Sequence, residues 1–448
     1  MLQRLQQLVA EHLPALVVAY RALGKIFPTV LRRELELFLT CNEPAYGGAQ
    51  LGCSSCGFER VIYYSCKRRS LCWRCIIRRR DVLVPHLMRQ ILPRTDMRHW
   101  VLTLPMELRI HLRRHPAILS AVRSIFIRAI RHHLRMRAKR SLRLKSARLA
   151  HIGAVSIIHM TSATLAANIH VHAVVPDGVF VENRASGSVT FVSLTAPSTD
   201  DLARIAWRVC QLTRDLLQRK NLWIDSEDPV GPRAIRGTIT LAKPRTITIF
   251  AKAAEPRQPH VGETFHVWAG DTIHRMNRAG LKNLMLYLLS PVFTESQLSL
   301  LDNDHVRLRL KRPRWDGTAS MTFAPDEFIE ALTGLIRSPR SHSLEYHGVL
   351  GRNSRFQRQV LPQWEPTPAP RPMPNDIESI EYRRARFILS MRAHRKDFDR
   401  CPVCFNQLNL LALVTDTLRY NNPRWKHPDT PALPPAVPAP RHETRCAN

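Results

Sequence analysis

The stretch Asn168-Ile169-His170-Val171-His172-Ala173-Val174-Val175 decides how this chain is read. Along a strand, side chains i and i+2 point to the same face. His170 and His172 would then stand side by side while Val171 turns toward a core. Two adjacent imidazoles are half of a metal site, built from a ligand type that suits a divalent ion activating a phosphate. The same triplet also fits two partly exposed strand histidines in a chain that carries 20 of them.

Outward from this strand, further strand signals fall at residues 154–158, at 178–181 after the turn Pro176-Asp177-Gly178, and at 189–194. Upstream, a strand-like run at 99–104 ends at Pro105, and a long basic helical stretch follows over about 106–148. Downstream, helices are expected over 199–220, 277–289 and 325–337. Short strands are expected at 238–241 and 246–250, and a hairpin pairs 306–310 with 319–323. Residues 1 to about 40 read as helical. Prolines 366, 368, 370, 372 and 374 mark a stiff linker over 362–376, followed by a basic helix over 377–396 and a tail, 417–448, with the composition of disorder. The expected class is α+β. A helical and Cys-rich domain spans 1–92, a catalytic-type domain 93–361, and a basic helix with a CxxC knuckle 377–416.

The charge balance points to the partner. There are 67 Lys+Arg against 36 Asp+Glu, a net charge of +31. Arginine dominates the excess, and its planar fork matches phosphate oxygens, so nucleic acid is the expected polyanion. No run of about 18 apolar residues marks a membrane span. The N-terminus lacks the layout of a secretory signal, and a cytoplasmic location is expected. Ten cysteines in such a chain argue for metal sites over disulfides.

Cys53-x2-Cys56 and Cys72-x2-Cys75 are two knuckles that together can complete a four-cysteine zinc site. Cys41 and Cys66 remain as members of a second site, as replacements in the first, or as buried thiols. The third knuckle, Cys401-Pro402-Val403-Cys404, fits either a shared metal site or a reduced thiol pair. Lys67, Arg68, Arg69, Arg74, Arg78, Arg79 and Arg80 crowd the second knuckle, either to meet a phosphate backbone or as a solvated charge run. Tyr287 lies late in a helical segment whose apolar stripe includes residues 281, 284, 285 and 288. Packing is the ordinary role of such a tyrosine. A metal site facing it would make it a candidate nucleophile, because a phenolate can attack a phosphodiester and conserve the bond energy as phosphotyrosine. No phosphate-cradling Gly-x4-Gly-Lys loop is present.

The order of these pieces resembles the zinc-binding, rolling-circle transposases of bacterial insertion sequences, members of the HUH endonuclease superfamily. Tyr64-Ser65-Cys66, Thr103-Leu104-Pro105 with Glu107-Leu108-Arg109, and the strand of His170 and His172 running into Asp177-Gly178-Val179-Phe180 carry the likeness. So do Tyr287-Leu288-Leu289-Ser290-Pro291, Leu310-Lys311-Arg312-Pro313 with Asp316-Gly317-Thr318, and Tyr346-His347-Gly348-Val349-Leu350. The resemblance covers about residues 30–360. It implies a palm-like antiparallel sheet in which Tyr287 nicks single-stranded DNA and keeps the 5′ phosphate. His170 and His172 would hold Mg2+ or Mn2+, and structural Zn2+ would sit in the cysteine module. A third metal ligand is implied from a neighbouring strand, where His159 stands at a position at which relatives carry Gln; a surface histidine is the alternative. Asn283, four residues before Tyr287, places the chain with the single-tyrosine branch. Cys66-x5-Cys72 lacks a histidine usual in relatives, which implies a reduced zinc ligand set. Lys67, Arg68, Arg69, Arg74, Arg78 and Arg79, the helical Arg128, Arg131, Arg135, Lys139, Arg140 and Arg143, and Lys311 and Arg312 would grip the backbone of single-stranded or hairpin element ends. Two alternatives stay open: a catalytically inactive zinc-dependent DNA-binding protein, and a replication initiator or relaxase with the same nicking chemistry.

Overall fold

The computed structural model describes residues 4–222, 265–301, 304–314, 316–338, 341–361, 401–406 and 408–414. The strands expected at 238–241 and 246–250, the linker, the helix at 377–396 and the tail lie outside the described residues. In chain order, helices α1 (Arg4–Ala22) and α2 (Thr29–Leu39) come first, then the hairpin β1 (Gly48–Gly52) and β2 (Glu59–Tyr63), and α3 (Trp73–His86). The helical N-terminus is therefore two helices. Gly24, at φ 66°, closes α1, and the Lys25 N–H reaches back to the Tyr20 carbonyl at 2.9 Å. Only glycine takes that left-handed position without strain.

Next come β3 (Met97–Thr103), α4 (Met106–Arg114), α5 (Pro116–Ser141), β4 (Ala150–His151), β5 (Gly153–Thr161), β6 (Ala167–Pro176), β7 (Gly178–Asn183), β8 (Ser188–Ser193) and α6 (Thr199–Arg219). The single helix expected over 106–148 is broken at His115-Pro116. Proline has no N–H to continue a helix and forces the preceding residue out of the α region, but it starts a new one well. Ser198 and Asp201 form a reciprocal capping box at the start of α6. The remaining elements are β9 (His266–Ile273), α7 (Arg278–Leu289), β10 (Leu298–Leu300), β11 (Val306–Arg309), β12 (Ser320–Phe323), α8 (Pro325–Thr333), β13 (Leu344–Gly348), α9 (Gln357–Val360) and β14 (Asn409–Val414). No helix among the described residues is long and apolar enough to cross a membrane.

The chain divides into two compact units, neither continuous in sequence. The first joins the residues up to Val82 with Ser290–Ile336 and the described residues after 400. It holds the antiparallel sheets β14-β1-β2 and β10-β11-β12. The second unit runs from Leu83 to Leu289 and resumes at Arg337. Its centre is a five-stranded sheet in the order β13-β5-β6-β3-β9, antiparallel throughout. A small sheet, β4-β7-β8, lies beside it.

Alternation along β6 sorts the two faces of the large sheet. Ile169, Val171, Ala173 and Val175 enter one core with Trp100, Leu102 and the inner faces of α5 and α6. Val174 enters the other core, with Val155, Ile157 and the α7 residues Leu281, Met285 and Leu288. His170 and His172 share the face of Val174. This mixed arrangement of helices on an antiparallel sheet is α+β.

A buried ion pair fastens β3 to its surroundings. Arg98 donates from Nε and Nη2 to the two carboxylate oxygens of Asp177 at 2.8 and 2.6 Å, and from Nη2 to Thr272 Oγ1 at 2.7 Å. Nη1 donates to the Gly270 carbonyl, so one guanidinium ties β3, β9 and the turn after β6. Removing one partner of a buried pair strands the other charge and costs about 3–5 kcal/mol. Asp177→Ala is therefore expected to lose about that much stability in urea denaturation, and Arg98→Met/Asp177→Leu to lose less than the single variant. A loss below about 1 kcal/mol for Asp177→Ala contradicts this.

Candidate functional site

Three imidazoles meet on the α7 face of the large sheet. β5 and β6 pair with His159 opposite His170 and Ile157 opposite His172. The ligand nitrogens of His159, His170 and His172 lie within 4.8 Å of one another. The two histidines of the His-x-His triplet are thus brought together, and His159 joins them.

Hydrogen bonds to carbonyl oxygens fix the tautomers of His170 and His159. His170 Nδ1 donates to the Asn168 carbonyl at 2.6 Å, leaving Nε2 with its lone pair. His159 Nε2 donates to the Leu288 carbonyl at 2.8 Å, leaving Nδ1. His172 Nδ1 lies 2.9 Å from His99 Nε2, and His172 Nε2 is a buried nitrogen with no hydrogen-bond partner. A buried polar atom without a partner is costly, and a metal ion would satisfy it. Outer partners that hold the far nitrogen of a ligating histidine are the usual support of a metal site. Burial lowers all three affinities for protons, reinforced by neighbouring rings at His159 and His172 and by Arg109 at His170; His159 falls to about 3. Neutral imidazoles are the form that binds metal. The donor set and its geometry fit a divalent ion.

His99 is the functional neighbour that the sequence reading passed over. Gly270 and Asp271 of β9 stand opposite it where the β3–β9 register shifts, a bulge of the kind that re-aims a side chain. The ring stacks on His172 at 5.1 Å and meets Trp268 edge-on at 5.4 Å. Its signal was its place two residues before Val101, which pairs with His172.

Tyr287 is 66% exposed, while Leu281, Met285 and Leu288 anchor α7. The tyrosine ring is not part of the core. It adjoins Leu288, whose carbonyl accepts the proton of His159. Asn283 lies one helical turn before it.

The cysteines assemble differently from the expected pairing of Cys53 and Cys56 with Cys72 and Cys75. Cys72 and Cys75 join Cys41 and Cys66, all buried, whereas Cys53 and Cys56 lie with Cys401 and Cys404. The reason is topological: the first knuckle sits at the turn of the β1–β2 hairpin, and β14 brings the third knuckle to it. Within the first quartet, sulfurs lie 3.5 Å (Cys41–Cys72), 3.8 Å (Cys41–Cys75) and 3.7 Å (Cys66–Cys75) apart. Tetrahedral zinc with bonds of about 2.3 Å needs edges of about 3.8 Å. Hydrogen bonds from Cys41, Cys66 and Cys72 hold the Cys75 thiol far below its ordinary range. The reduced ligand set expected from the missing histidine is in fact a complete set of four sulfurs.

Several of the basic residues are tied to groups of the protein itself. Arg68 is engaged by Glu34 at 2.9 Å and by the Cys66 carbonyl; Arg135 donates to the Ala147 and Arg148 carbonyls; Lys311 donates to the Pro291 carbonyl at 2.6 Å. Arg74 stacks on Trp73. Lys67, Arg69, Arg79 and Arg312 are exposed, and Arg78 is half-buried. On α5, Arg128, Arg131, Arg135 and Lys139 recur at helical spacing along one stripe, continued by the exposed Arg140 and Arg143.

Comparison with known proteins agrees with this picture. Residues 153–357 match the family described as "Putative transposase", and residues 12–104 match the family described as "Transposase zinc-binding domain", of the IS91 type. The chain is 26% identical over 396 residues to a Sinorhizobium fredii (strain NBRC 101917 / NGR234) protein described as "Putative transposase y4qJ". The alignment covers 86% of this chain and 90% of that one. No solved structure matches. These likenesses support a zinc-binding DNA transposase, and with the buried cysteine quartet they support structural Zn2+.

The depressed histidines set a pH dependence. His99 is lowered to about 4 and His159 to about 3, chiefly by burial, from an ordinary value of about 6.5. The unfolded chain takes up protons below about 6.5 that the folded chain refuses. Their contribution is therefore complete above about 6.5 and is lost as pH falls toward about 3. The melting temperature should drop between pH 7 and pH 5, and drop less in His159→Gln. Equal slopes for the two proteins contradict the assignment.

Proposed function

We propose that this chain is a rolling-circle transposase of the HUH type, which nicks single-stranded DNA through a 5′-phosphotyrosine at Tyr287. The observation that carries the reading is the convergence of three buried imidazoles beside the helix turn that presents an exposed tyrosine. The five-stranded antiparallel sheet, with its histidine pair on the central β6, supports the reading by presenting both imidazoles on one face.

In this reading His159, His170 and His172 would hold Mg2+ or Mn2+. Such an ion would supply charge to polarise a phosphate oxygen and to stabilise the departing 3′ oxygen. Tyr287 supplies the nucleophile. Its hydroxyl gives its proton to solvent and the phenolate oxygen bonds to phosphorus. The P–O3′ bond breaks, and the released oxygen takes up a proton as a free 3′ hydroxyl. The 5′ phosphate stays on the tyrosine, and attack by a 3′ hydroxyl in the reverse sense transfers the strand without an energy cofactor. His99 and the Asn168 and Leu288 carbonyls position the three rings. The outward arginines of α5 and of the second knuckle hold the DNA backbone, in single-stranded or hairpin form, by a salt-dependent term.

The test uses a pool of 3′-labelled single-stranded oligonucleotides with Mn2+. A labelled band that migrates with the protein in denaturing gels is expected for the wild type. Tyr287→Phe should abolish it, and His172→Ala should lower it by 100-fold or more. Chelation of the divalent ion should remove it. Equal adduct from Tyr287→Phe rules out the nucleophile. DNA binding with no adduct under any condition leaves a zinc-dependent DNA-binding protein.

A further inference from the structure

We propose that Cys53, Cys56, Cys401 and Cys404 bind a second structural zinc, forming a ribbon assembled from two distant parts of the chain. The two halves stand 345 residues apart in sequence, counted from Cys56 to Cys401. This inference is independent of the chemistry at the three histidines.

The four sulfurs form one cluster, with Cys53 3.4 Å from Cys404 and Cys56 3.4 Å from Cys401. Those separations are well beyond a disulfide bond of about 2.05 Å and close to the edge of a zinc tetrahedron, about 3.8 Å.

The two knuckles have the same backbone. Cys53 N donates to the Phe58 carbonyl at 2.8 Å, and Cys401 N to the Asn406 carbonyl at 2.7 Å. Gly57 N returns to the Cys53 carbonyl at 3.0 Å, and Phe405 N to the Cys401 carbonyl at 2.9 Å. An N–H two residues after the first cysteine, from Ser55 or Val403, points at that cysteine's sulfur in each knuckle. The residue after the second cysteine is left-handed in both, with φ 73° at Gly57 and 60° at Phe405. Glycine takes that conformation freely, whereas phenylalanine has to be held in it. The Phe405 ring is 70% exposed, so its burial does not offset the strain. A metal fixing the two thiolates of the turn does.

The surrounding sheet completes the ribbon. The first knuckle caps the β1–β2 hairpin, and the second leads into β14, which pairs with β1 from Gly48↔Val414 to Gly52↔Asn409. A Cβ on Gly52 would come within 2.5 Å of the Leu411 side chain, so the glycine admits the incoming strand. The apolar core here is small: Leu51, Leu408, Phe58 and Ile62 with the cysteines. A core of that size does not hold a strand recruited from so far along the chain, and a structural metal is the usual remedy.

The test compares wild type with Cys401→Ser/Cys404→Ser as full-length, zinc-loaded protein. The variant should lose one equivalent of zinc relative to wild type. In the cobalt-substituted proteins, the thiolate-to-metal charge-transfer band should fall by half, as eight sulfur ligands become four. Amides of residues 409–414 should exchange at least tenfold faster. An unchanged zinc content and band overturn the proposal. If the double variant does not fold, Cys404→His decides. It should keep both equivalents and shift the cobalt d–d spectrum from four sulfurs toward three sulfurs and one nitrogen. An unshifted spectrum overturns the proposal.

Discussion

The corner where β5 and β6 carry His159, His170 and His172 works under one electrostatic constraint: three imidazoles share a space that none can enter charged. Burial disfavours the protonated form of each ring, and neighbouring rings disfavour it further at His159 and His172, as Arg109 does at His170. The outer nitrogens donate to the Asn168 and Leu288 carbonyls, and His172 turns its own toward His99. What remains are the inward nitrogens of three rings, among them the unpartnered Nε2 of His172, which cost energy unless a ligand takes them. The rest of the second unit serves this corner. Arg98 and Asp177 hold β3 and β9 in register, so that His99 can back His172. The α7 residues Leu281, Met285 and Leu288 bind that helix to the same sheet face and leave Tyr287 outside the core.

The cysteine-rich unit solves a different problem. Its sheets are three-stranded and short, and its apolar contacts around the first knuckle are few. Thiolate clusters substitute for core there. They fix basic segments such as Lys67-Arg68-Arg69 in place, so that positive charge is displayed from an ordered backbone. With a net charge of +31, this display favours a polyanion over any neutral partner.

How much of this was readable beforehand follows from the range of each interaction. His170 and His172 were legible because two-residue alternation is local. His159 was legible only through resemblance, since its partner in the triad depends on the β5–β6 register. His99 was missed for the same reason: its relation to His172 exists only once β3 pairs with β6. The break before Pro116 was written in the sequence and was read through, because basic and apolar residues keep helical spacing on both sides of it. β9 went unread, its strand pattern interrupted by Gly270 and Asp271, which form the bulge. The cysteine partition could not have been read from spacing. Two knuckles close in sequence look like partners, and nothing local reveals that β14 carries Cys401 and Cys404 back to β1.

The proposed chemistry depends on the three imidazoles holding one divalent cation. Electron spin-echo modulation of Mn2+ bound to the full-length protein measures this directly through nitrogen couplings. Coupling to three histidine nitrogens is expected, reduced to two in His159→Gln. A Mn2+ signal coupled only to water protons, and unchanged by that substitution, would contradict it.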